Sequence, residues 1–373
     1  MKKDIKIRNK LELFTNLFFV LFGFAGKSKN NYINNPNYNR IFKKISSVII
    51  IVIFFTLDVY KYFKDENNAY ESDIIKYDIV IPINSNDTHQ IKKLKYFLRK
   101  YISFNNIIII SQNNTKILDE NDSFIVIDED QLVPKNELVQ IFINKGVNDT
   151  SRVGWYEQQF IKMGYARICK NDYYLIWDSD TIPIKLVKMF NNGFPIFDMK
   201  IEHHPPYFST LDRLIPDLKY SKFSYISEHM IIKTEFMNNL LDKIEKNNDI
   251  PGKIFWEKIL LSIDNEQILQ SGFSEFETYG TFVDNYYKNY YKHRIWSSMR
   301  ETAKYFGNIE NLNKDDLNWL SKDYNAITFE KWDIFEVENI KLVKNLGVQK
   351  KCSPKRLFKY SSRIIKNYNL YKR

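Results

Sequence analysis

The chain of 373 residues predicts an α/β fold, in which a mixed, mainly parallel sheet is flanked by helices. Apolar runs with the length of buried strands occur at residues 77–83, 106–111 and 124–127, and a helical pattern lies between the first two. Strands that alternate with helices in this way are typical of βαβ units, whose neighbouring strands are parallel. A hydrophobic content of 44% is sufficient for a large core.

The individual elements follow from the spacing of apolar residues. Residues 77–83 are predicted to form a strand that ends at the polar turn 84–87. The helix after this turn is indicated by apolar side chains at helical spacing, namely Ile91, Leu94, Phe97, Leu98 and Tyr101. Residues 106–111 and 124–127 are expected to be the next two strands, because each is a short, strongly apolar run.

The second half of the chain has less regular patterns. A helix at 154–168 leads into a buried strand at 173–177, and residues 224–232 alternate like a half-buried strand. Three further helices are expected near residues 236–244, 254–263 and 274–286. We therefore predict three segments: a basic arm with apolar runs and a linker (1–73), the α/β domain (74–303), and a C-terminal extension without a dense apolar run (304–373).

The positive charge is concentrated at the N-terminus. Of the net charge of +10, the first 44 residues supply +8, because they contain ten Lys or Arg against two acids. A nucleic-acid-binding protein would instead interleave basic and aromatic residues across its folded domain. We therefore predict no nucleic-acid partner. The two cysteines form no CxxC motif, so neither a disulfide framework nor a zinc site is supported.

Two apolar runs near the N-terminus, at 13–26 and 45–57, raise the question of a membrane anchor. A spanning helix needs roughly 17–25 residues, so the second run alone is short. Lys43 and Lys44 precede it, which favours a type II single-pass anchor with its N-terminus inside. The predicted location is therefore membrane-associated. The alternatives are a buried helix or a cleaved targeting segment, and a cytoplasmic protein.

The most informative segment is 173–183, in which the apolar run Tyr-Tyr-Leu-Ile-Trp is followed by Asp178-Ser-Asp180. Residues i and i+2 of a strand project from the same face, so the two carboxylates are expected to converge. Two such acids repel each other unless a cation joins them. Mn²⁺ or Mg²⁺ accepts carboxylate oxygens and keeps positions open for phosphate oxygens. The alternative is that the acids only cap the next turn.

Five motifs accompany one another in a fixed order along the chain. They are Arg152-Val-Gly154-Trp155-Tyr156-Glu157-Gln158-Gln159, the segment 173–183, Glu202-His203-His204-x-Pro-Tyr207, Ser227-Glu228-His229-Met230, and Ser271-Gly272-Phe-Ser-Glu275-Phe-Glu277-Thr-Tyr279. In this order they resemble a family of glycosyltransferases with a GT-A fold, annotated mostly as a domain of unknown function and often linked to surface polysaccharides. The resemblance covers roughly residues 77–296.

The resemblance implies a GT-A-like (Rossmann-like) fold, a UDP- or GDP-sugar donor and a Mn²⁺ or Mg²⁺ ion. Asp178 and Asp180 would contact ribose and metal, and His293 is the candidate third metal ligand. Ligands of open α/β sheets lie at the carboxyl ends of the strands, which adds the turn after the first strand. The candidate donor-binding residues are Pro82, Asn84, Arg152, Gln158, Gln159, Asp178, His204 and His229.

Transfer of a sugar requires a neutralised leaving diphosphate and, in an inverting enzyme, a carboxylate base near the acceptor hydroxyl. Glu275 and Glu277 are the candidates for this base, and Asp178 joins them as a catalytic residue through the metal. The two glutamates are separated by about 200° on a helix, so at most one is expected to face a cleft. A retaining enzyme would need no such base.

The sequence thus predicts a metal-dependent glycosyltransferase that moves a sugar from a nucleotide-sugar to a glycan, protein or lipid-linked acceptor. A non-catalytic relative that binds nucleotide or carbohydrate is the first alternative. A metal-dependent phosphotransferase or nuclease that uses the same two acids is the second.

Overall fold

The computed structural model describes residues 75–83, 88–112, 124–330, 333, 335 and 343–359. All of them fall within the unit Tyr70–Arg373. The whole predicted segment 1–73, with its basic arm, two apolar runs and linker, lies outside the described residues, as does Asn84. Among the described residues, no helix is long and apolar enough to span a membrane.

The strands, in chain order, are β1 (Tyr77–Pro82), β2 (Ile107–Ser111), β3 (Ile125–Asp128), β4 (Tyr173–Trp177), β5 (Thr181–Pro183), β6 (Phe190–Asn191), β7 (Phe194–Met199), β8 (His229–Lys233), β9 (Lys292–Ile295), β10 (Ser298–Met299) and β11 (Ala326–Thr328). The helices are α1 (Thr88–Tyr101), α2 (Lys135–Asn144), α3 (Val153–Gly164), α4 (Pro205–Leu214), α5 (Thr234–Glu245), α6 (Phe255–Ser262), α7 (Glu275–Tyr286), α8 (Thr302–Phe306), α9 (Lys314–Leu320) and α10 (Leu346–Lys351).

The central sheet has five strands in the order β3-β2-β1-β4-β8. The first four strands are parallel to one another, and β8 runs antiparallel to β4. Every residue of β1, β2 and β4 is buried, as expected for parallel strands covered by helices on both faces. The predicted fold class, a mixed and mainly parallel α/β sheet flanked by helices, is confirmed.

Two smaller sheets extend this core. In one, β11 pairs antiparallel with β5 and parallel with β10, and in the other β7 pairs with β6 and β9. Because β5 follows the end of β4 directly, β11 brings Thr328 and Phe329 beside that end. Residues after 304, predicted as a separate extension, thus contribute a strand here. Phe306, Trp319 and Ile327 belong to the same hydrophobic core as the sheet.

Helices α3 and α7 stand beside the carboxyl end of β4. Tyr156 and Phe160 of α3 are fully buried, and their rings pack 6.2 Å apart. Helix α7 approaches Tyr225 so closely that a Cβ on Gly280 would lie 2.2 Å from that ring. Only glycine permits this contact, which fixes the position of α7 and of the acids at its first turn.

Candidate active site

A cleft of about 790 Å³ opens at the carboxyl ends of β1 and β4. Its walls come from α3, the first turns of α4 and α7, and the segment that follows β11. Eight of the residues predicted from the sequence line it: Pro82, Arg152, Gln158, Gln159, Asp178, Asp180, His204 and Glu275. The structure thus brings together positions that are up to 193 residues apart in the chain.

A tight turn after β4 presents Asp178 and Asp180 to the cleft. The Trp177 indole N–H donates to the carbonyl oxygen of Thr181 at 2.7 Å, and the Thr181 N–H donates to that of Asp178 at 3.1 Å. Burial raises the pKa of Asp180 to about 7, and the negative charge of Asp178 adds to the rise. The burial of Asp180 and the charge of Asp178 therefore both disfavour ionisation of Asp180. The two acids lie on this turn and not on the strand itself, so the alternation of a strand, from which the sequence argument expected them to converge, does not apply to them.

The donor set at this turn fits a hard divalent cation. Both side chains offer carboxylate oxygens, which Mg²⁺ and Mn²⁺ prefer, and a cation between them would relieve their repulsion. No group of three or more His, Cys, Asp or Glu arranged to hold a metal occurs within the described ranges. The protein would thus supply two carboxylates there, and Mg²⁺ sites of this kind are usually completed by substrate phosphates and water.

Lys162 of α3 is a cleft residue that the sequence analysis missed. Its Nζ lies 2.6 Å from Asp178 Oδ1 and 2.8 Å from Glu275 Oε1, and it stands over the Phe276 ring. Burial lowers the pKa of Lys162, but the two carboxylates outweigh this effect and raise the pKa above its usual value. The lysine is therefore a fixed positive charge that joins the end of β4 to α7.

Of the two glutamates predicted as bases, only Glu275 faces the cleft. Glu277 is 2% exposed, accepts hydrogen bonds from Ser224 Oγ at 2.7 Å and from the Tyr225 N–H at 3.2 Å, and does not line the cleft. Two residues of helix correspond to a rotation of about 200°, which directs Glu277 into the core while Glu275 faces the cleft. Ser274 caps α7, since its Oγ accepts from the Glu277 N–H.

His229 and His293, in contrast, are not brought to the cleft. His229 is 1% exposed, its Nε2 lies 2.9 Å from Asp198 Oδ2, and its ring stacks on Trp177. His293 lies on β9 with its Nε2 3.1 Å from Asp284 Oδ2, and it does not line the cleft. A donor-binding role for His229 and a metal-ligand role for His293 therefore have no support in the geometry.

The neighbour of His229, Glu228, takes the cleft position instead. Its backbone is left-handed (φ 62°), and its carbonyl oxygen accepts from the Asp178 N–H at 3.0 Å. The side chain accepts from Trp296 Nε1 at 3.1 Å and forms a close ion pair with Lys200. A left-handed conformation is unfavourable for a residue other than glycine and is often retained at functional sites.

Three more charged residues line the same end of the cleft as Glu228. Arg300 Nε lies 2.7 Å from Glu330 Oε1, and Arg300 Nη1 lies 3.9 Å from Glu202 Oε1. Both Glu228 and Glu330 contribute to the raised pKa of Asp180, after burial and Asp178. The cleft is therefore strongly acidic around the turn after β4, in a chain whose net charge is +10.

Three solved structures that are similar to this chain share little sequence identity with it. An active-site mutant of LgtC matches with 9% identity and a TM-score of 0.38, covering 71% of this chain and 94% of that one. The galactosyltransferase LgtC in complex with donor and acceptor sugar analogues matches with 9% identity, a TM-score of 0.34 and coverages of 68% and 86%. The mannosyltransferase Ktr4p from S. cerevisiae in complex with GDP matches with 11% identity, a TM-score of 0.33 and coverages of 52% and 67%.

At such low TM-scores these similarities are too distant to establish a shared activity. No curated protein sequence matches the chain. A family profile described as "Family of unknown function (DUF6492)" matches residues 76–342, which is more than half of the chain. The protein therefore belongs to this family of unknown function.

Proposed function

We propose that the protein is a divalent-metal-dependent glycosyltransferase that uses a nucleotide-sugar donor and a glycan-type acceptor. One observation carries the proposal: at the carboxyl end of β4, Asp178 and Asp180 both line a cleft that is large enough for a nucleotide-sugar. Lys162 balances part of the charge of Asp178, whereas burial and that charge disfavour an ionised Asp180. A cation beside both carboxylates would stabilise the ionised form of Asp180, and a cation at a strand end is placed to bind a diphosphate.

Asp178 and Asp180 would hold a Mn²⁺ or Mg²⁺ ion, which when bound would stabilise the negative charge of the leaving diphosphate. The protein's own groups have distinct tasks around it. Lys162 fixes the orientation of Asp178 through the 2.6 Å contact and adds a positive charge to the cleft. Gln158 lines the cleft with an amide group that can donate to and accept from sugar hydroxyls, whereas the buried Gln159 amide binds the Trp155 carbonyl oxygen and the Glu275 N–H.

Glu275 is the candidate base for an inverting reaction. Its carboxylate lines the cleft, and its backbone N–H donates to Gln159 Oε1 at 3.2 Å, so the first turn of α7 is fixed against α3. A carboxylate in this position can accept the proton of an acceptor hydroxyl as the new glycosidic bond forms. The bond between the donor sugar and the diphosphate breaks as the new bond forms, and the nucleoside diphosphate is the leaving group.

The test is release of nucleoside diphosphate from a panel of UDP- and GDP-sugars by the full chain, with Mn²⁺ and with EDTA. Release from one donor that is abolished by EDTA and by Asp180→Ala is the expected result. Glu137→Gln, on the exposed side of α2, is a control that should keep the activity. Absence of any metal-dependent UDP or GDP binding in calorimetry would contradict the proposal, even if donors stay intact without acceptor.

A further inference from the structure

Four side chains of α3 form a continuous stripe along one wall of the cleft: Trp155, Gln158, Gln159 and Lys162. Positions three or four apart on a helix lie on the same face, so the stripe is a direct result of their spacing. Lys162 fixes one end of it, because its Nζ contacts Asp178. With a rise of about 1.5 Å per residue, Gln158 lies about 6 Å and Trp155 about 10 Å further along the helix.

The Trp155 end of the stripe differs chemically from the Lys162 end. The Arg152 guanidinium lies 4.2 Å from the Trp155 ring, and Arg152 Nη2 donates to Ser271 Oγ at 3.3 Å. His204 Nε2 lies 2.9 Å from the Ser271 carbonyl oxygen, and the His204 ring contacts that of Tyr207 at 4.5 Å. Arg152 and His204 thus both bind Ser271, and the rings of Trp155 and Tyr207 contact these two side chains.

Within the described residues, the Trp155 end of the cleft does not present a set of carboxylates that could hold a metal. Among the residues that the structure describes, none of the carboxylates lies within ion-pair distance of Arg152, whereas Lys162 and Arg300 each face at least two. The Arg152 guanidinium lies over the half-exposed Trp155 ring, and its Nε donates to the Gln270 carbonyl oxygen at 2.8 Å. The remaining surface of the ring suits a ligand that has an apolar face and a hydroxyl-bearing rim. A pyranose ring has both features, because its axial C–H groups form an apolar face.

We propose that the Trp155 end of the cleft binds the acceptor, and that the acceptor presents a pyranose ring that stacks on Trp155. The inference rests on the proposed function, since the donor diphosphate is assigned to the Asp178 end. Gln158 lies between Lys162 and Trp155 along α3, so it is assigned to the transferred sugar, and the acceptor ring is placed beside Trp155. Arg152, His204 and Tyr207 then contact the rim of that ring.

The experiment compares binding of saccharide and nucleotide to the same full-length protein. Methyl glycosides of glucose, galactose, mannose and N-acetylglucosamine are titrated by saturation-transfer NMR in the presence of Mg²⁺ and UDP or GDP. Nucleotide affinity is measured separately by calorimetry. The variants are Trp155→Ala, Trp155→Phe, which keeps an aromatic face, and Tyr96→Ala, which removes an exposed aromatic ring outside the cleft.

At least one glycoside should bind the wild type, and Trp155→Ala should weaken it about tenfold, as expected for loss of one aromatic contact in a cleft. Trp155→Phe should retain most of the affinity, Tyr96→Ala all of it, and nucleotide binding should be unchanged in every variant. The inference is overturned if Trp155→Ala weakens nucleotide binding as much as glycoside binding, because the ring would then serve the nucleotide. It is also overturned if no glycoside binds a protein that binds nucleotide. Failure of nucleotide binding itself would refute the proposed function, and with it the inference.

Discussion

Lys162→Met tests the charge arrangement of the cleft without touching either aspartate. Methionine has a similar length but no charge, so it leaves Asp178 and Glu275 without their shared ammonium. Removal of one partner from a buried ion pair usually costs about 3–5 kcal/mol. Because the Asp178 side chain is 30% exposed and partly hydrated, we expect a loss near the lower limit, about 3 kcal/mol.

The effect of a second substitution, Glu275→Gln, on the free energy of unfolding should depend on whether Lys162 is present. In the wild type, Glu275→Gln should destabilise, because it removes one half of the 2.8 Å contact with Lys162. In the Lys162→Met background the same change should be neutral or stabilising, because it removes a buried carboxylate that has lost its partner. Urea unfolding in EDTA near pH 8 measures all four proteins.

A matched control is available at Lys258, another buried lysine. Its Nζ donates to the carbonyl oxygens of Asn247 and Ile250 rather than to carboxylates. Glu275→Gln should therefore cost the same in Lys258→Met as in the wild type. If Glu275→Gln is equally costly with and without Lys162, the three residues do not act as one electrostatic unit, and the reasoning is refuted.

Three further predictions concern pH, packing and ligand binding. Burial, followed by the charge of Glu157, raises the pKa of Glu129 from 4.5 to about 7, so Glu129 destabilises the folded state progressively as the pH rises through this window. The free energy of unfolding of Glu129→Gln, measured relative to the wild type in urea titrations, should therefore rise by about 2 kcal/mol from pH 4.5 to about pH 8. A difference between the two proteins that does not change with pH would contradict this. Gly280→Ala should lower the free energy of unfolding by about 1–3 kcal/mol, because its Cβ would overlap the Tyr225 ring, whereas Gly154→Ala, with open space around it, should be neutral or stabilising. Mn²⁺ and UDP or GDP should each raise the affinity of the other by about tenfold in calorimetry, and independent binding would contradict a shared site.

The sequence was most informative where the structure is local. An apolar run was enough to predict the buried strand β4 and the cleft position of the two acids after it, although these lie on a turn and not on the strand. The contact between Lys162 and Glu275 joins residues 113 positions apart, so no local pattern reveals it. A partial signal existed, since Lys162 stands four residues after Gln158 on the predicted helix and therefore on the same face.

The positions of His229 and His293 could not be predicted from the sequence. His229 and Glu228 are neighbours, and which of the two faces the cleft depends on the left-handed backbone of Glu228, which no pattern of residue types predicts. His293 was a candidate only through the resemblance to other enzymes. The three residues of β11 are too short a run to be recognised, and they become a strand by pairing with β5 across more than 140 residues.

Asp178 connects the charged groups of the cleft. Lys162 contacts one of its oxygens, its backbone N–H is bound to Glu228, and its charge raises the pKa of Asp180. A cation held by Asp178 and Asp180 would have few protein ligands, so phosphate oxygens would have to complete its coordination. Cation and nucleotide would then bind as a unit, and by reciprocity each would depend on the other to the same degree. On this reasoning, Lys162 is a permanent positive charge beside Asp178, and the cation would be the positive charge that arrives with the substrate.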